Sequence, residues 1–113
     1  MFRKLYGDDP HPLVAICLNN VGDLYEKLGD IQKALLLYKE AFKINRQIYK
    51  DYLHVEVVAS LWKIGDVCKK LNQKETAKAY YANAFEICKR LPPSSVIQDV
   101  QMMLITKWME LKD

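Results

Sequence analysis

HPLVAICLNNVGDLYEKLGDIQKALLLYKEAFKINRQIY, from His11 to Tyr49, returns in altered form from His54 to Pro92 as HVEVVASLWKIGDVCKKLNQKETAKAYYANAFEICKRLP. The offset of 43 residues holds without a gap: His11 recurs as His54, Leu18 as Leu61, Gly22 as Gly65, Ala34 as Ala77, Tyr38 as Tyr81, Ala41 as Ala84 and Phe42 as Phe85. The small residues align as well as the large ones, which a chance apolar pattern would not produce. A period of this length marks stacked supersecondary units, each burying its apolar face only against a neighbour.

Within the unit the spacing predicts two helices. Val14, Leu18, Val21, Tyr25 and Leu28 recur at three and four residues from Pro12 to Leu28 and line one face. Pro12 suits a first turn, Gly29 suits the left-handed residue that stops a helix, and Asp30 can cap the next one. The second helix, Ile31 to Tyr49, is apolar over more than half its circumference, with Lys33, Glu40, Lys43 and Gln47 as one narrow polar strip. Such a helix is expected to be covered on two sides.

The copy follows suit. Val57, Leu61, Ile64, Cys68 and Leu71 line its first helix, Asn72 replaces Gly29 at the turn, and Pro92-Pro93 ends the second. Gly22 and Gly65 are expected to face Ala34 and Ala77 across each hairpin, with Tyr38 and Tyr81 filling the space beside them. Ser95 to Gln98 fits a capping box that opens a fifth helix to about Leu111. Ile97, Gln101, Leu104, Trp108 and Leu111 form one face of that helix, and Met102, Ile105 and Met109 form a second apolar face, unusual at the end of a stack. The organisation expected is a preceding helix end or N-terminal cap in residues 1–10, a first repeat in 11–53, a second in 54–94 and a capping or partial-repeat helix in 95–113.

Of 113 residues, 50% are hydrophobic and 27% charged, an ordinary globular balance. The net charge of +3 is small and interleaved, so no nucleic-acid partner is expected. Cys17, Cys68 and Cys88 have no CxxC spacing and lie in apolar segments, which suits buried free thiols in a reducing compartment. No uninterrupted apolar run approaches the roughly 18 residues of a membrane-spanning helix, so no membrane association is expected and the cytoplasm is the expected location.

Leu-x-x-Val-Gly-x-x-Tyr in the first helix and Ala-x-x-x-Tyr-x-x-Ala in the second resemble the tetratricopeptide repeat. Tyr6-Gly7-Asp8-Asp9 before His11-Pro12, Leu18-Asn19-Asn20-Val21-Gly22 and Leu28-Gly29-Asp30 resemble its kinesin light chain subgroup. The second unit departs from that pattern at Trp62, Lys63 and Cys68 and in Tyr49-Lys50-Asp51-Tyr52. The resemblance implies an all-α, right-handed superhelical stack of antiparallel helix pairs, here two full repeats and one C-terminal helix.

It also implies a ligand groove along the first helix of each repeat. Equivalent positions there give Ile16, Ala59 and Met102; Asn19, Trp62 and Ile105; Asp23, Asp66 and Met109; and Glu26, Lys69 and Lys112, joined by Asn20 and Lys63. Asn19 and Asn20 could hydrogen-bond a peptide backbone, and Trp62 with Ile105 and Met109 could hold an apolar anchor. The function expected is therefore a non-enzymatic scaffold that binds a peptide or helix of a protein partner. The alternatives are a homodimer formed through Met102, Ile105 and Met109, or a piece of a longer array. The repeated His11 and His54 lack an acidic or Cys ligand at metal spacing, and no phosphate loop, nucleophile motif or metal cluster is present, so neither cofactor nor catalysis is expected.

Overall fold

The computed structural model describes residues 11–51 and 53–112. Five helices run through them: α1 (Pro12–Lys27), α2 (Ile31–Ile48), α3 (Val55–Lys70), α4 (Lys74–Arg90) and α5 (Ser95–Glu110). Each packs mainly against its neighbours in the chain, so the helices form a linear stack of antiparallel pairs, 45 × 35 × 20 Å overall. The cap expected in residues 1–10 lies outside the described residues.

The hairpin turns are set by single residues. Gly29 has φ +87° and Asn72 φ +62°, the left-handed conformation that the sequence predicted for both. Asp30 Oδ1 then accepts from the Lys33 amide at 3.2 Å and starts α2. His11 and His54 have a role that the spacing did not suggest, since each caps its helix through Nδ1, accepting from the amides of Leu13 (3.1 Å) and Glu56 (3.0 Å). The cap of α5 is Ser94 rather than Ser95: its Oγ accepts from the Ile97 amide at 3.1 Å, and its carbonyl accepts from the Gln98 amide at 2.9 Å. Starting one residue earlier adds that backbone hydrogen bond to the helix.

The main core is built on α3 and α4, with Tyr38, Val58, Ile64, Val67, Ala77 and Tyr81 essentially sealed from solvent. A smaller cluster of Val14, Ala15, Ala41 and Ile44 holds α1 to α2. The glycines lie against the tyrosine rings: a Cβ on Gly22 would lie 2.6 Å from Tyr38 Cε1, and one on Gly65 2.7 Å from Tyr81 Cε1. A hydrogen at these two positions lets the flat ring lie against the opposing backbone. α2 is wetter than its pattern suggested. Leu36, Lys39 and Arg46 are exposed together with Lys33, Lys43 and Gln47, so the thin polar strip is a broad open face, while Glu40 is half-buried.

Candidate partner-binding surface

Asp23, one turn beyond Asn19 on α1, accepts from the Tyr38 hydroxyl of α2 at 2.5 Å and from Lys63 Nζ of α3 at 2.9 and 3.1 Å. Glu26 lies 2.7 Å from the same Tyr38 hydroxyl, whose one proton the two carboxylates share, and Glu26 pairs with Lys70. Three helices are thus joined, with Asp23, Glu26 and Lys63, all expected in a ligand groove, taking part in the joint. The arrangement recurs at the next joint, where Tyr81 donates to Asp66 at 2.5 Å and Lys107 of α5 pairs with the same oxygen at 3.0 Å. Each lysine also lies over its tyrosine ring, 5.6 Å from Tyr38 and 5.9 Å from Tyr81.

These contacts set the electrostatics of the joint. Burial alone would raise the Asp23 carboxyl, but the Tyr38 hydroxyl and the Lys63 ammonium outweigh it and hold the group below its ordinary value. Burial, and then the facing carboxylates, push the Tyr38 and Tyr81 hydroxyls far above the usual phenol range, so both remain donors. Burial likewise raises the Cys68 and Cys88 thiols, which suits packed rather than reactive sulfur.

The remaining expected groove residues divide by exposure. Asn19 is only 6% exposed and its Oδ1 has no hydrogen-bond partner, whereas Asn20 beside it is open to solvent. Trp62 and Ala59 are half-buried, and Trp62 packs against the main core. Ile16 and Lys69 are exposed, as are Met102, Ile105 and Met109. A buried polar link that the sequence did not suggest joins α2 to α3, where Asn45 Nδ2 donates to Ser60 Oγ at 3.0 Å. One period later the equivalent positions are Cys88 and Met103, an apolar version of the same joint.

A concave apolar surface lies between α4 and α5. A cleft of about 320 Å³ is lined by Tyr81, Ala82, Phe85 and Glu86 from α4 and by Leu104, Ile105, Trp108 and Met109 from α5. A shallower depression shares Phe85 and Ile105 with it and continues to Met102, Gln98 and Gln101. Of the expected partner-binding residues, Ile105, Met109 and Met102 therefore line one continuous strip. The sequence showed these three but not Phe85 opposite them. Among the described residues, no group of three His, Cys, Asp or Glu side chains could hold a metal ion, and no helix is long and apolar enough to cross a membrane.

Two family models, both described as tetratricopeptide repeat, match the sequence over residues 1–47 and 58–90, which together are most of the chain. The chain is a tetratricopeptide repeat protein. Repeats of this family generally mediate protein–protein interaction. A search of curated proteins finds no significant match. In this tetratricopeptide repeat protein the five helices and their serial packing form the all-α solenoid that the periodicity predicts.

Proposed function

We propose that this tetratricopeptide repeat protein is a non-enzymatic scaffold that holds an apolar segment of a protein partner in the α4/α5 cleft, Ile105 and Met109 receiving the anchor side chain. The observation that carries this reading is the contrast between two sets of groove residues. Asp23, Glu26, Lys63 and Asp66 are tied to other helices, whereas Met102, Ile105 and Met109 are 66, 44 and 55% exposed beside a preformed apolar concavity. Methionine and aromatic side chains adapt to varied apolar anchors, and a preformed site avoids part of the ordering cost of binding.

Peptide selection against the whole chain, with affinities measured for Ile105→Glu and Met109→Glu, tests the assignment; unchanged affinities in both variants would refute it.

A second reading, self-association through Met102, Ile105 and Met109, draws on the same exposed face at three- and four-residue spacing. Light scattering over a range of concentrations separates the two. A mass that stays monomeric excludes the dimer, and a dimer abolished by Ile105→Glu favours it.

A further inference from the structure

The exposed face of α2 carries a row of cations that lies apart from the α4/α5 cleft. Lys39, Lys43 and Arg46 follow one another at four and three residues, the spacing of a single ridge, Lys50 stands just past the helix end, and all four are exposed. Lys43, Arg46, Gln47 and Lys50 line a shallow depression of about 410 Å³, so the last three cations lie around one hollow. Leu36, 67% exposed, precedes Lys39 by one turn and gives the ridge an apolar end.

The ridge belongs to the first repeat alone. One period later the same four places hold Ala82, Glu86, Lys89 and Pro93, although the packing residues Ala34, Tyr38 and Ala41 are all repeated. The fold therefore does not require it. Arg46 and Lys50 also lie near the C-terminal end of α2, where cations offset the helix dipole, but Lys39 and Lys43 are further back, beyond the last turn in which that effect acts.

We propose that this ridge is a docking surface for an acidic segment of a protein partner, its carboxylates spaced along Lys39 to Lys50 and an apolar residue beside Leu36. Charge complementarity along a row of four cations steers such a segment and fixes its direction. Nucleic acid fits less well, because the ridge offers bases no exposed aromatic surface. Phe42, beside Lys43, is half-buried with the Arg46 guanidinium 5.6 Å from its centre, and Tyr49, beside Lys50, is half-buried and stacked on His54. The surface is separate from the α4/α5 cleft, so either site can fail its test without the other.

The test uses the whole chain and a fluorescein-labelled peptide of twelve residues, eight of them Glu, with Leu near one end, followed by anisotropy at low and at physiological salt. We expect saturable binding that weakens with salt. Lys43→Glu with Lys50→Glu should lower affinity by about tenfold, and the equal charge change Arg90→Glu with Lys112→Glu by less than about twofold. Circular dichroism confirms that each variant is folded, and Lys43→Gln with Lys50→Gln serves if the reversal unfolds the chain. Absence of peptide binding at low salt would overturn the proposal, as would equal loss in the control pair. So would preferential binding of single-stranded RNA or of phosphatidylserine vesicles.

Discussion

The Tyr38 hydroxyl bridges Asp23 and Glu26, its single proton shared between carboxylate oxygens at 2.5 and 2.7 Å, so that one buried phenol on α2 holds two carboxylates of α1 in position for Lys63 and Lys70 of α3. Tyr81 repeats only half of this, with Asp66. Removing the hydroxyl therefore has different consequences in the two repeats. Tyr38→Phe should destabilise the fold by about 1.5–3 kcal/mol, and Tyr81→Phe by roughly half as much, because hydrogen bonds to charged groups are the stronger class. Urea denaturation of the two variants checks the order; equal losses would show that the second carboxylate contributes nothing.

Gly22→Ala and Gly65→Ala should each cost about 1–3 kcal/mol, although alanine gains about 1 kcal/mol of helix propensity over glycine. The added methyl would stand 2.6 or 2.7 Å from a tyrosine ring carbon, too close to be accommodated without moving the ring. Thermal unfolding of both variants measures this. A stabilised variant would mean that the rings are not held against the glycines.

Asp23 gives stability a pH dependence with a defined sign. Its carboxyl is held below its ordinary value in the fold, so its contribution is fully present above the unfolded value of about 3.9 and is lost as pH falls through the folded value. Wild-type stability should decline more steeply below about pH 4 than that of Asp23→Asn, which lacks the titrating group. Denaturant midpoints through that range decide the point, parallel declines being the contrary result.

His54→Ala should cost about 1 kcal/mol, and His54→Asn distinctly less, because asparagine restores an acceptor for the Glu56 amide. Alanine also removes the ring stacked on Tyr49 at 3.8 Å, so the asparagine variant isolates the cap. If the two variants unfold at the same midpoint, the stack rather than the cap accounts for His54.

What was legible in the sequence follows from how local each determinant is. Gly29, Asn72 and Asp30 act within one turn of chain, and Tyr38 and Tyr81 repeat at a fixed offset, so the helices and their pairing could be read directly. The pairing of Asp23 with Lys63 could not, because it depends on how α3 is rotated against α1 across 40 intervening positions. That rotation ties up Asp23, and Asn19 is 6% exposed, although the family resemblance implied an open groove at both. At the second joint the lysine arrives after 41 positions instead of 40, a shift that a strict period misses. Phe85 was read as a packing residue, and only the path of α5 shows that its ring also lines the cleft.

The central claim is that a partner binds at the α4/α5 cleft and not at the asparagine positions of α1. It is tested most directly by calorimetric titration of one selected peptide into the wild type, Ile105→Glu and Asn19→Ala. The cleft account predicts at least about a tenfold weaker complex for Ile105→Glu, on the scale of truncating one interface anchor, and no more than about a twofold change for Asn19→Ala. The reverse ranking, with Asn19→Ala abolishing binding and Ile105→Glu tolerated, would contradict it.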